Sequence, residues 1–407
     1  MPHSRGRGFD PGRLSDMNRP TDLVTRILAR TTPDALPTEG YTEIRVIGVG
    51  GAGNNAVNRM IDANLLGVEF ITVNTDAQAL ENSNAHRRLA LGPRTTRSLG
   101  AGGDPRVGEK AAEESSQELA DLVRGADMVF VAAGMGGGTG TGAGPVIADL
   151  ARRAGALTLG VVTLPFSFEG RRRSQIAAEG VRALAARVDA IVVVHNDKLL
   201  DVTGPKVSFS DAFVIADDML HRGIQGITDL ITTTGMVNVD FADVRTVMGG
   251  AGTALMGVGE AAGEERALRA IQIAMSSPLL DTSMDNARGV VLNVTGSDNL
   301  TLAEVNTVAQ RVAKVVAPEA NFIFGSVIDE RMGDSVRVTL IATGFSADAV
   351  TSGIESGARG APRPMRFTSE TPAARLHTPR VRELTFDDEP GDDVQIPTFL
   401  RRRRTGG

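Results

Sequence analysis

Apolar residues recur along this chain in two rhythms. Short, largely apolar runs at Glu43-Ile-Arg-Val-Ile-Gly, Val68 to Val73, Met128-Val-Phe-Val-Ala-Ala, Leu157-Thr-Leu-Gly-Val-Val-Thr and Ala190-Ile-Val-Val-Val predict strands. Segments of helical spacing separate them, such as Ala111 to Val123. Apolar strands alternating with helices belong to a parallel sheet covered on both faces. A longer helix is predicted from about Asp211 to Thr232, because Phe213, Ala216, Leu220, Ile224, Ile227 and Ile231 recur at three- and four-residue steps. It should lie against the sheet. Farther on, Gly289 to Val294, Leu302 to Val316, Asn321 to Phe324 and Ser335 to Thr343 predict strand, helix, strand, strand, a smaller second α/β unit. The rhythm is missing at both ends. Residues 1–39 mix Arg, Pro, Gly and Asp around one short apolar piece, Leu23 to Leu28, and predict a mobile arm. After Gly344, Gly, Pro, Arg, Ser and acidic residues predict a disordered linker to about Asp393. There are no internal repeats.

Composition narrows the picture in three ways. With 407 residues at 42 % hydrophobic content, the chain can bury the core of a two-domain α/β protein. No apolar run is long enough to span a bilayer, and Arg5, Arg7, Arg13 and Arg19 precede no signal-like stretch, so a soluble, unexported protein is expected. Zero cysteines remove disulfides, thiolate metal sites and thiol nucleophiles. The net charge of -6 understates the acidity of the middle, because many arginines sit at the ends, and this argues against general nucleic-acid binding. The 47 glycines direct attention to loops.

Gly48-Val-Gly-Gly-Ala-Gly53 follows a strand and precedes a helix expected from Asn55 onward. Backbone N–H groups and a helix N-terminus converge there, and phosphate is their natural occupant. The spacing also fits G-x-G-x-x-G, with Asp76 placed like the ribose-binding acid of a dinucleotide fold. Taken alone, this loop favours a dinucleotide and leaves a nucleoside triphosphate or a structural turn open. A second loop, Gly134-Met-Gly-Gly-Gly-Thr-Gly-Thr-Gly-Ala-Gly144, also follows a strand and opens a helix expected at Pro145. Two cradles in one sheet point to a polyphosphate, with the hydroxyls of Thr139 and Thr141 as added donors. A flexible linker is the alternative, but linkers do not sit between a buried strand and an apolar helix. No G-x-x-x-x-G-K-[ST] occurs, and the only lysines are Lys110, Lys198, Lys206 and Lys314, which excludes a P-loop ATPase. Negative charge must then be met by amides, helix N-termini, a cation and an arginine such as Arg173.

Four segments together resemble the FtsZ family of the tubulin superfamily: Gly48-Val-Gly-Gly-Ala-Gly-Asn-Asn-Ala, Val73-Asn-Thr-Asp-Ala-Gln-Ala-Leu, Gly134-Met-Gly-Gly-Gly-Thr-Gly-Thr-Gly and Asn238-Val-Asp-Phe-Ala-Asp-Val. Smaller pieces agree, including Pro165-Phe-Ser-Phe-Glu-Gly, Asn196-Asp-Lys-Leu-Leu and Ser277-Pro-Leu-Leu, and the likeness runs from about Ile44 to Gly344. The resemblance implies a tubulin-like α/β fold divided as an N-terminal arm (1–39), a Rossmann-type parallel-sheet GTP-binding domain (40–208), a central helix (209–233), a smaller C-terminal α/β domain (234–345), a linker (346–391) and a partner-binding peptide (392–407). It implies a self-assembling GTPase of bacterial cell division that cycles GTP to GDP, with Mg2+ held mainly by nucleotide and water.

By the same resemblance Gly51, Ala52, Gly53, Asn54 and Asn55, with Gly138, Thr139 and Gly140, would hold phosphates. Glu169 would meet the ribose, Arg173 would lie near phosphates or ribose, and Asn196, Phe213 and Asp217 would meet guanine. Phe213 and Asp217 are four apart on one helical face, so a base stacked on the ring lies within reach of the carboxylate. Without the resemblance Phe213 reads as core and Asp217 as a solvated helix charge. Spacing alone makes Asp240 a helix N-cap with Asp243 at the third helical position. The resemblance implies that Asn238, Asp240 and Asp243 project onto the γ-phosphate held by a neighbouring subunit and polarise the attacking water, so that hydrolysis requires polymerisation into head-to-tail protofilaments.

The tail Asp392-Asp-Val-Gln-Ile-Pro-Thr-Phe-Leu-Arg-Arg-Arg-Arg404 sets apolar residues before a basic cluster, the composition of a binding peptide. The resemblance implies docking to membrane anchors and division proteins through Ile396, Pro397, Phe399, Leu400 and the arginines, at the inner face of the cytoplasmic membrane, with only indirect membrane attachment. A solvated basic end is the alternative, and four charges adhere only weakly to anionic lipid. Ala52 and Asn54 stand where many relatives have glycine, and His195 where proline is common. His195 reads as a strand-end residue satisfied by hydrogen bonds. Three functions therefore stand: a polymerising GTPase, a dinucleotide-dependent oxidoreductase, and a nucleotide-bound scaffold without turnover.

Overall fold

The computed structural model describes residues 42–203, 208–233, 237, 239–277, 280 and 287–345. Ten strands form one sheet in the order β3-β2-β1-β4-β5-β6-β7-β10-β8-β9. The strands β1 (Ile44–Val49), β2 (Glu69–Asn74), β3 (Arg87–Ala90), β4 (Met128–Gly134), β5 (Leu157–Leu164) and β6 (Ala190–His195) are all parallel. The C-terminal strands β7 (Gly252–Ala262), β8 (Gly289–Gly296), β9 (Asn321–Ile328) and β10 (Ser335–Phe345) mix senses: β10 is antiparallel to β7 and β8, and β8 is parallel to β9.

Alternating strand residues feed opposite faces, as period-two geometry requires. Ile44, Val46, Met128 and Phe130 pack with helix α1 (Gly50–Asp62), whereas Ile47, Val49, Val129 and Val131 pack on the other side. The short helices α2 (Ala77–Glu81) and α3 (Pro93–Thr96) precede the pair α4 (Pro105–Glu114) and α5 (Ser116–Val123), which covers that second face with α6 (Thr139–Arg153) and α7 (Arg171–Ala185). After α8 (Asn196–Thr203) comes the long helix α9 (Phe209–Thr232), whose Leu220, Ile224, Ile227 and Leu230 lie in the α1-side core beside residues of both halves of the sheet. The C-terminal part adds α10 (Phe241–Met248), α11 (Arg266–Met275) and α12 (Leu302–Ala313). Among the described residues no helix is long and apolar enough to cross a membrane.

Several expectations need correction. The helix foreseen over Ala111 to Val123 is two helices broken at Ser115, whose buried hydroxyl accepts a hydrogen bond from Gly92 N at 3.0 Å. Helix α9 begins at Phe209 because Ser208 caps it, its Oγ accepting from Asp211 N at 3.1 Å. Helices α1 and α6 start at Gly50 and Thr139, before the foreseen Asn55 and Pro145, so the glycine runs supply their first turns. Strand β7 and helix α11 were not foreseen. The sequence Gly-Thr-Ala-Leu-Met-Gly-Val-Gly-Glu-Ala-Ala is poor in β-branched residues, but its small residues serve packing. A Cβ on Gly259 would lie 2.0 Å from Ala270 O of α11, so glycine there permits the close approach of helix to strand.

Candidate functional site

In a doubly wound sheet the crevice forms outside the carboxyl ends of the strands, where the strand order reverses. Here the reversal lies between β1 and β4, and each of these strands runs directly into a glycine loop. The two loops touch: Gly50, at φ +72°, would bring a Cβ to 3.1 Å from Gly140 N. Gly51 and Gly137 both face open space. Exposed amides at two helix N-termini thus border one cleft, which suits a polyphosphate.

The loop side chains divide between cleft and support. Asn55 is exposed, but Asn54 is buried, and with its amide oriented to donate it reaches Gly50 O at 3.0 Å and Gly48 O at 3.1 Å. It clamps the loop from within. Ala52 is half-buried against Gly134, and Gly53 is buried, where a Cβ would meet Ala132 O at 2.4 Å. Thr139 Oγ1 lies 2.6 Å from Thr75 Oγ1, and Gly136 N donates to Thr141 Oγ1 at 3.0 Å. Gly138 is buried behind the loop against Ala101 and Asp104.

Thr75 and the segment Gly100-Ala-Gly-Gly-Asp104 also border the glycine loops, although sequence spacing does not single them out. Gly100 N donates to Thr75 O at 3.0 Å, and Gly102 and Gly103, both at positive φ, face open space beside Gly138. A third glycine run just ahead of a helix was the available signal.

On the α7 side, Glu169 Oε1 accepts from Phe166 N at 2.9 Å while Oε2 is paired with Arg173 Nη1, so these two residues act together. The Arg173 backbone packs on the second glycine loop, since a Cβ on Gly136 would lie 2.9 Å from its carbonyl oxygen. Phe213 is half-buried, 5.2 Å from the buried Phe166 and 5.2 Å from Phe209, which is 70 % exposed. It is therefore neither plain core nor free surface. Asp217 is buried, Arg59 Nε approaches its Oδ2 at 3.3 Å, and burial pushes its pKa up to about 6 against the pull of Arg59. Asn196 is buried, and its Oδ1 has no hydrogen-bond partner among the described residues. A buried orphan acceptor beside an open cleft fits a polar ligand that completes it. His195 is paired in the β5–β6 ladder, but its side chain makes no hydrogen bond among the described residues, contrary to expectation, and burial followed by Lys198 pushes its pKa down to about 4. It is neutral near pH 7.

Asp240 occupies the N-cap position of α10, yet its side chain makes no cap hydrogen bond, so the capping role read from spacing is not what the structure contains. Asp240 and Asp243 are both exposed. They stand far from the cleft, because α10 packs at the amino ends of the parallel strands: Arg245 Nη2 donates to Gly155 O, just before β5. The stretch of α9 from Asp217 to Thr232 alone spans about 23 Å at 1.5 Å per residue. Asn238 and the tail residues Ile396, Pro397, Phe399 and Leu400 lie outside the described residues.

Comparison with known proteins bears on the fold and the family. Residues 43–204 match the Tubulin/FtsZ family, GTPase domain, which makes the class a tubulin-type GTPase. Residues 252–346 match the FtsZ family, C-terminal domain. Among solved structures, an FtsZ dimer from M. jannaschii is 41 % identical with a TM-score of 0.73, covering 80 % of this chain and 93 % of that one. CetZ2 from Haloferax volcanii, described as a GTPγS-bound protofilament, is 20 % identical with a TM-score of 0.65, covering 78 % and 98 %, and shares the fold. The chain belongs to the FtsZ family. The oxidoreductase reading is thereby set aside.

Proposed function

We propose that the protein polymerises head to tail and hydrolyses GTP only where two subunits meet. The observation that carries this reading is the separation of the exposed Asp240 and Asp243 carboxylates, which make no side-chain hydrogen bond or ion pair among the described residues, at the amino ends of the strands, from the glycine cleft at the carboxyl ends. No single subunit brings them together, whereas a second copy stacked on the first does. Amides of Gly51 to Asn55 and Gly138 to Gly140 hold the phosphates, with Asn54 supporting its loop from behind. Glu169 and Arg173 hold the ribose side, and Phe213, Asn196 and Asp217 hold guanine, whose N1 and N2 donors suit a carboxylate. The incoming carboxylates, with Asn238, orient the water that attacks the γ-phosphorus while the bond to the bridging oxygen breaks. Phosphoryl transfer of this kind depends on alignment and charge stabilisation more than on covalent help. Mg2+ would be held chiefly by nucleotide and water. Filaments built this way would form the cytokinetic ring under the cytoplasmic membrane and recruit anchors and septation proteins through the tail.

Light scattering and phosphate release, followed with GTP, ATP or no nucleotide over a series of protein concentrations, test the reading. Both signals are expected with GTP alone and above one common critical concentration. Turnover that does not depend on concentration would overturn the shared site. Assembly without turnover would favour the scaffold.

A further inference from the structure

The ion pair between Arg59 and Asp217 joins two helices that serve different parts of the nucleotide. Arg59 lies one turn beyond Asn55 on α1, the helix whose first turn makes the first glycine loop. Its Nε meets Asp217 Oδ2 of α9 at 3.3 Å, with side-chain exposures of 39 % and 10 %. Burial and Arg59 oppose one another at this carboxyl. The other charges of this stretch of α9 are engaged elsewhere: Asp218 holds Arg222 at 2.6 Å and faces His221 at 3.6 Å, and Arg222 continues to Glu260 of β7. Without Arg59, burial would act unopposed and Asp217 would tend to the neutral acid near pH 7. A protonated carboxyl carries a hydrogen on one oxygen and is a poor acceptor for two donors at once.

Resting on the reading that Asp217 recognises guanine, we propose that Arg59 is a positioning residue for base selection, fixing the orientation and charge of the Asp217 carboxylate through Oδ2 and leaving Oδ1 to the base. The same contact ties the phosphate-loop helix to the base-binding helix, so base and phosphate recognition share one support.

The test is competition of GTP, ITP and ATP against a fluorescent GDP analogue between pH 5.5 and 9, with the full chain and the variants R59M, R59K, R59Q and D217N. ITP lacks the exocyclic amine of guanine and so reports on one of the two donors. R59M is expected to bind GTP roughly tenfold more weakly at pH 7, the scale of a lost charge-assisted contact, and to recover as pH rises. The midpoint of its pH profile should lie above that of the wild type, and its preference for GTP over ITP should shrink at pH 7. R59K should restore the midpoint. R59Q, which keeps a donor without the charge, decides the matter if R59M does not fold and should share the raised midpoint. A uniform loss of affinity at every pH, or profiles matching the wild type, would overturn the proposal and leave Arg59 a structural residue. If D217N keeps full preference for GTP, the guanine reading itself fails. If D217N loses it while R59M and R59Q behave as wild type, only the role of Arg59 fails.

Discussion

The carboxyl ends of the parallel strands and the charge nets around Arg266 and Arg337 treat their polar groups in opposite ways. At the carboxyl ends of β1, β4 and β6, space and bonding capacity are left open: Gly51 and Gly137 face open space, and the buried Asn196 Oδ1 has no partner among the described residues. In the mixed half, charges close on one another. Arg266, 6 % exposed, is bound by Glu304 at 2.7 Å, Asp334 at 3.1 Å and Asn299 Oδ1 at 2.8 Å. Arg337 meets Glu260 at 3.0 Å, which Arg222 also approaches at 3.7 Å. Polar groups without partners mark where a ligand supplies the missing bonds, whereas a closed net of charges marks architecture. Asp240 and Asp243 break the pattern. They belong by sequence to the mixed half, yet their exposed carboxylates make no side-chain hydrogen bond or ion pair among the described residues.

The largest expected effect comes from moving Asp243 out of that pattern. Asp243→Ala should lower GTP turnover by about 100-fold or more, the scale of losing one charge-positioning group in a catalytic site, while GTP binding and assembly persist. Unchanged phosphate release would return Asp243 to the architectural class. Next in size, Arg266→Met should lower stability by about 2 kcal/mol through lost charge-assisted hydrogen bonds, read as a lower denaturation midpoint with normal turnover per folded molecule. The hydrogen bond from Arg266 is the first cause holding the Glu304 carboxyl down at about 2, against its ordinary 4.5. That contribution is full above pH 4.5 and is lost as pH falls toward 2, so the gap between wild type and variant should narrow in acid.

The smallest effect concerns Asp229, an exception within the mixed half's contacts. Burial raises its carboxyl to about 6, with Arg337 opposing. A raised carboxylate pKa gives stability that is full below the ordinary 3.8 and is lost as pH rises through about 6. Asp229→Asn, neutral at every pH, should therefore melt higher at pH 7.5 by about 2 °C and match the wild type near pH 4. A lower melting temperature at pH 7.5 would show that the pull of Arg337 outweighs burial.

The strands with unbroken apolar runs were legible because burial on two faces leaves no room for polar residues, and β4 and β5 fall within a residue or so of their expected bounds. Strand β7 was not legible, because its alanines and glycines answer to α11 rather than to strand propensity. In the site, the two long glycine runs could be read directly, whereas Phe213 and Asp217 stood out only through the family resemblance. Thr75 and Arg59 could not, since each acts on a partner distant in sequence, Thr139 and Asp217, that only the fold brings near. Asp240 looked like a cap because N-cap position and N-cap hydrogen bond share one sequence pattern.

Where the two halves meet, β6 and β7 are paired only through Ala190–Gly252, Ile191–Thr253 and Val192–Ala254. Mechanically this is a crease between two stiff plates, with α9 lying along it as a rod of about 36 Å at 1.5 Å per residue. A load pulling along a stack of such molecules would bend each one at that seam before it sheared either plate, and α9, packed on both, would set how far the bend could go.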